Sequence, residues 1–198
     1  MWLLSLWLVP VVASANAPVI LALGDSLTAG YGIDADDGWV ALLQARLQGR
    51  GRSDRVINAG ISGDTTRGGL ARLSARLERE RPRIVILQLG ANDGLRGLSL
   101  AAMKDNLRRM IERSRAQGAR VLLLGVHLPT NYGAYGRRFH TVYRELAEEM
   151  RVAFVPFFLE GVAETSEMML PDGIHPNRAA QPRIMENVLE GLAPLLDY

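Results

Sequence analysis

Apolar positions in this chain alternate between two periods. Short runs rich in Val, Ile and Leu, at Val19–Leu23, Arg55–Asn58, Ile84–Leu89, Val121–Val126 and Val152–Val155, read as strands. The longest are continuously apolar, the pattern of strands covered on both faces. Between them, Trp39–Leu47, Leu70–Glu80, Leu100–Gln117 and Arg138–Met150 carry apolar residues every three to four positions, as Leu100, Met103, Leu107, Met110 and Ile111 do. Pro82 ends one such helix and Gly118 stops the next before Val121. A last helix spans about Ala179 to Leu196 and tolerates Pro182 only in its first turn.

Strand and helix in alternation predict an α/β fold with a parallel sheet covered on both faces, whose ligands bind beyond the carboxyl ends of the strands. The 198 residues suffice for one domain with a substantial core, and no linker, repeat or low-complexity tract divides them. Residues 18–198 are therefore expected to form a single domain.

The first residues break the pattern. Met1–Val12 is almost wholly apolar, and Ala15-Asn16-Ala17 fits a small-x-small cleavage site. Residues 1–17 are read as a signal peptide, although no Lys or Arg precedes the apolar run and a proline follows the expected cut. The run is short for a permanent anchor, so the mature protein is expected to be periplasmic or secreted, with an uncleaved tethered form as the alternative.

Composition narrows the function. With 48% hydrophobic and 22% charged residues the chain is ordinary globular material. Its formal charge is only +2, and its many arginines are mixed with acids, so a nucleic-acid partner is not expected. There is no cysteine, which removes disulfides, thiolate metal sites and a cysteine nucleophile.

Four phrases carry candidate chemistry: Gly24-Asp25-Ser26-Leu27, Asn58-Ala59-Gly60-Ile61-Ser62-Gly63-Asp64, Gly90-Ala91-Asn92-Asp93 and Asp172-Gly173-Ile174-His175. The first three follow the first three strands, so they converge on one sheet edge. Ser26 can be a nucleophile, His175 its base and Asp172 the group that orients the base. The Gly60 N–H and the Asn92 amide can bind an oxyanion. Each phrase also has a structural reading: Ser26 as a helix cap, Asp172-Gly173 and Asn92-Asp93-Gly94 as turns, Gly60 as an ordinary loop glycine. His127, after the fourth strand, is the rival base but has no acidic neighbour in sequence. His140 falls on a helix as a surface or packing residue.

Together these phrases resemble the SGNH (GDSL) hydrolase superfamily, with Ser26, Gly60, Asn92 and His175 in its four motif blocks and Asp172 three residues before the histidine. Asn92-Asp93-Gly94-Leu95-Arg96-Gly97, Leu128-Pro129, Asn131-Tyr132-Gly133 and Val155-Pro156-Phe157-Phe158 are similar to bacterial periplasmic thioesterase–lysophospholipase–arylesterases. The resemblance implies a three-layer flavodoxin-like fold with five parallel strands and no metal or organic cofactor. It also implies an oxyanion hole built from Ser26, Gly60 and Asn92. One departure is that Gly60 stands where close relatives often carry serine.

The expected function is hydrolysis of carboxylic esters or thioesters through an acyl-serine, on a small-molecule or lipid ester, with transient membrane-lipid contact and a monomeric state. The segments Leu128–Tyr135 and Gly94–Leu98 are expected to wall the acyl groove. Three alternatives remain at this point. One is a carbohydrate acetylesterase of the same mechanism. Another is a metal-dependent phosphoesterase using Asp25, Asp64, Asp93, Asp172 and His175. The third is a noncatalytic flavodoxin-like binding module, which lacks a Gly-rich phosphate loop.

Overall fold

The structure is a computed structural model that describes residues 17–196. The expected signal peptide lies outside the described residues except for Ala17. Five strands form one parallel sheet in the order β2-β1-β3-β4-β5: β1 (Val19–Gly24), β2 (Arg55–Gly60), β3 (Ile84–Gln88), β4 (Arg120–Leu124) and β5 (Ala153–Val155). Seven helices join them: α1 (Ser26–Ala29), α2 (Trp39–Gly49), α3 (Thr66–Glu80), α4 (Ala91–Leu95), α5 (Leu100–Ala116), α6 (Gly133–Met150) and α7 (Gln181–Leu196).

Helices α2 and α7 pack together over one face, while α3, α5 and α6 cover the other. Two-sided cover explains why β1 and β3 are buried at every position. The α/β, five-stranded parallel architecture expected from the sequence is the one observed.

Two helices begin earlier than their apolar periodicity predicts. Helix α3 starts at Thr66 rather than Leu70 because its first turn is satisfied from elsewhere. Thr65 accepts from the Gly68 N–H, and the Asp93 carboxylate accepts from the Thr66 N–H at 2.8 Å. Helix α6 starts at Gly133 rather than Arg138. The Tyr132 hydroxyl donates to the Leu95 carbonyl at 3.0 Å and that of Tyr135 to the Leu98 carbonyl at 2.8 Å, tying this end of the helix to the segment after α4. Pro194 lies inside the last turn of α7, besides Pro182 in the first.

The register sets the working edge. Gly24 pairs with Gly60 on one side and Gln88 on the other, so the chain leaves β1, β2 and β3 at the same level. Ser26, the Gly60–Asp64 loop and Asn92 all follow these ends within a few residues.

Candidate active site

Ser26 is the first residue of α1, directly after Asp25, whose carboxylate caps the helix by accepting from the Leu27 N–H at 3.0 Å. Gly30, in the left-handed region, closes the same short helix. The turn from β1 into α1 presents the serine at the sheet edge, and only 9% of the residue is exposed.

His175 reaches it from the other end of the chain. Its Nε2 lies 2.9 Å from the Ser26 Oγ, and its Nδ1 lies 2.7 Å from the Asp172 Oδ2. The other Asp172 oxygen accepts from the backbone N–H groups of Ile174 and His175, at 2.9 and 3.0 Å. Those two backbone bonds, with the imidazole bond after them, pull the Asp172 pKa down to about 2. The group is therefore an acceptor-only carboxylate at neutral pH. Its partner Nδ1 must carry the proton, which leaves the Nε2 lone pair for the Ser26 hydroxyl. The loop is held by Leu170 N–H donating to the His175 carbonyl at 2.7 Å, and the Tyr31 ring lies 4.5 Å from the imidazole.

The second motif differs from its expected use. The Gly60 N–H already donates to the Asn58 Oδ1 at 2.9 Å, and Asn58 in turn donates to the Thr28 carbonyl. A Cβ at Gly60 would sit 2.3 Å from the Ala29 nitrogen, so glycine serves here as the close contact between β2 and α1. Gly60 therefore has no free N–H to give an oxyanion, which corrects the sequence expectation.

Gly63 is the glycine of this loop that remains available. Its φ of +79° is the left-handed region, and its N–H has no hydrogen-bond acceptor among the described residues. Its carbonyl accepts from the Arg96 Nη2 at 3.0 Å, and the same nitrogen stands 3.5 Å from the Asn92 Oδ1. One guanidinium thus bridges Gly63 and Asn92. A departure at Gly60 together with a second glycine three residues later was the signal in the sequence. The Ser26 N–H, at the first helical position, also lacks an intrahelical acceptor.

Residues 22–182 match the model of the GDSL-like Lipase/Acylhydrolase family. The chain belongs to that family. "Esterase TesA" of Pseudomonas aeruginosa is 53% identical over 190 residues, covering 96% of this chain and 94% of that protein. "Thioesterase 1/protease 1/lysophospholipase L1" of Escherichia coli is 44% identical over 186 residues, covering 93% and 88%. A solved structure, "Crystal Structure of TesA", superposes with a TM-score of 0.88 at 54% identity, covering 90% of this chain and 99% of that one.

In this GDSL-family chain the remaining carboxylates are engaged. Asp64 pairs with Arg72 at 2.8 Å, and Arg72 also donates to the carbonyls of Ala59 and Gly24, clamping the ends of β1 and β2. Asp93 is buried and accepts the Thr66 N–H and hydroxyl, so it joins α4 to α3. Asp25 is fully buried, and burial raises its pKa to about 6. Its Oδ2 has no hydrogen bond among the described residues, although the Gln88 amide stands close by. The described residues contain no group of three or more His, Asp or Glu able to hold a metal ion. Of the acids invoked for a phosphoesterase, Asp64 and Asp93 are taken up in structural bonds, Asp25 is buried and Asp172 is bonded to His175.

Beside the triad, this GDSL-family site opens into an apolar cavity of about 370 Å³. Leu27 and Ile174, chain neighbours of Ser26 and His175, line it together with Leu95, His127, His140 and Phe157. Of the expected Leu128–Tyr135 wall only Leu128, Pro129 and Thr130 line it, and of the Gly94–Leu98 segment only Leu95 does. A wider depression of about 570 Å³, bordered by Leu98, Lys104 and Tyr135, includes no chain neighbour of Ser26 or His175. The structure pairs His175, not His127, with Ser26. The His127 ring lies between His140 and Phe157, each centroid at 4.0 Å, and His175 occupies the position beside Ser26. His140 is a packing residue whose Nε2 accepts the Leu128 N–H at 3.1 Å.

Proposed function

We propose that this chain hydrolyses carboxylic esters and thioesters through a covalent acyl-serine. The observation that carries the reading is the unbroken chain from the Asp172 carboxylate through both nitrogens of His175 to the Ser26 hydroxyl. Ser26 Oγ attacks the carbonyl carbon while its proton passes to His175 Nε2, and ionised Asp172 stabilises the imidazolium. The oxyanion is met by the Ser26 N–H, the Asn92 side-chain amide and, in place of Gly60, the Gly63 N–H. The imidazolium then protonates the leaving alcohol or thiol. Water, deprotonated by the same imidazole, attacks the acyl-serine and frees the acid and Ser26.

The apolar cavity next to Ser26 favours an acyl or aryl group over a sugar, which places the carbohydrate acetylesterase second. Relatives named as esterase, thioesterase and lysophospholipase support small-molecule and lipid esters as the substrate class. Exposed Tyr31, Ile61 and Ile174 lie on segments at the working edge and suit brief contact with a lipid surface. We further propose a monomer whose mature domain is residues 18–198, periplasmic or secreted after removal of residues 1–17. No helix among the described residues is long and apolar enough to cross a membrane.

The test is hydrolysis of a medium-chain p-nitrophenyl ester by the protein, by Ser26→Ala and by the protein with a chelator. Activity should fall by about a thousandfold or more with Ser26→Ala and be unmoved by the chelator. Turnover that survives Ser26→Ala would refute the acyl-serine.

A further inference from the structure

The stack of His140, His127 and Phe157 is a chemical anomaly in an apolar cavity. Two imidazoles and a phenyl ring lie face to face, with 20° between the histidines and 4° between His127 and Phe157. All three border the cavity that opens beside Ser26, so an acyl chain seated there would cover them. Neutral imidazole is compatible with such a chain. Imidazolium is not, because the chain would strip water from the charge without replacing it.

The two histidines are not equivalent. His140 Nε2 accepts the Leu128 N–H, so protonating that atom would break a backbone hydrogen bond as well as charge the ring. No such bond holds the ring of His127, an exposed residue, among the described residues. The charged and titratable groups facing His127 are His140 on α6 and Glu160 and Glu164 on the segment after β5. Partial burial holds both imidazoles below the ordinary histidine pKa, and the two glutamates oppose this at His127 alone. The Leu128 N–H occupies the His140 Nε2, so His127 is the ring of the stack that can take a proton without breaking a backbone hydrogen bond.

We propose that His127 is a specificity-determining residue whose protonation state sets the acyl-chain length the enzyme accepts. Neutral His127 leaves the cavity open to medium and long acyl chains. Charged His127 closes it to them and leaves acetyl-sized groups, held beside Ser26, unaffected. The inference rests on the ester-hydrolase reading, because it assigns the cavity to the acyl half of the substrate.

A ratio isolates the effect. Both substrates depend on the same triad in the free enzyme, so its titration cancels when kcat/KM for p-nitrophenyl octanoate is divided by that for p-nitrophenyl acetate. In the full chain this ratio should fall as the pH is lowered from about 8 towards 5. It should be flat with pH in His127→Phe, which keeps a ring in the stack. His127→Gln, which does not titrate either, should be flat too and covers the case in which the phenyl ring is not accommodated. A ratio constant with pH in the wild type, or falling equally in either variant, would overturn the proposal. The ester-hydrolase reading is checked in the acetate arm alone: if acetate turnover does not depend on Ser26, that reading fails, and this one with it.

Discussion

The roles proposed for Ser26, His175 and Asn92 separate by substitution. Asn92→Ala removes one oxyanion donor and should lower kcat by about a hundredfold or more, with KM little changed, in steady-state ester hydrolysis. Asp25 poses a different problem, because it lies inside the motif but its carboxylate points into the protein. Its folded pKa is about 6 against an ordinary 3.8. The folded state thus binds the proton more tightly than the unfolded state. Its stabilising contribution is complete below about pH 3.8 and is lost as pH rises through 6. At neutral pH the buried charge opposes folding by about 3 kcal/mol. Asp25→Asn keeps an oxygen for the Leu27 N–H and removes the charge. Urea unfolding should find this variant more stable than wild type at pH 8, with the advantage gone near pH 4. Asp172 runs the other way. Depressed to about 2, it stays ionised down to low pH, so acid loss of activity above about pH 4 does not originate there.

Among the elements, β2 and α1 meet more closely than any pattern of apolar residues could announce. Gly60 against Ala29, together with the Asn58 side chain bonded to both Gly60 and Thr28, locks the β2 end to the helix that carries Ser26. Gly60→Ala should lower stability by about 1–3 kcal/mol in urea unfolding, and kcat should fall with it because α1 must shift. The strand cores and the inner parts of α2, α3 and α5 were legible because burial imposes its own period. The early starts of α3 and α6 were not, since glycine-rich first turns have weak intrinsic preference. Asp93 and the tyrosines Tyr132 and Tyr135 supply what those turns lack, from partners remote in sequence. The same holds for the oxyanion loop. The motif displayed two glycines, and the hydrogen bond from Gly60 to Asn58 and its close contact with Ala29 distinguished them.

Across the whole molecule, stability and chemistry occupy opposite edges of the sheet. At the edge away from Ser26, buried Asp54 pairs with Arg52 and Arg83, at 2.8 and 2.9 Å, and both arginines donate to the Leu196 carbonyl at the end of α7. Asp54→Ala removes the buried carboxylate that both arginines share and should lower stability in thermal unfolding. The kcat of the remaining folded enzyme should be close to wild type, because this knot touches neither Ser26 nor the cavity.

The sequence by itself determined the strand–helix alternation, the parallel sheet and the residue types of the triad. These follow from local periodicity and from the narrow choice of side chains able to activate a hydroxyl. Tertiary structure alone decided which N–H groups are free, where the carboxylates are engaged and which rings line the acyl cavity. Each of these depends on partners tens of residues away, and hydrogen-bond capacity is used up by whichever group the fold brings near.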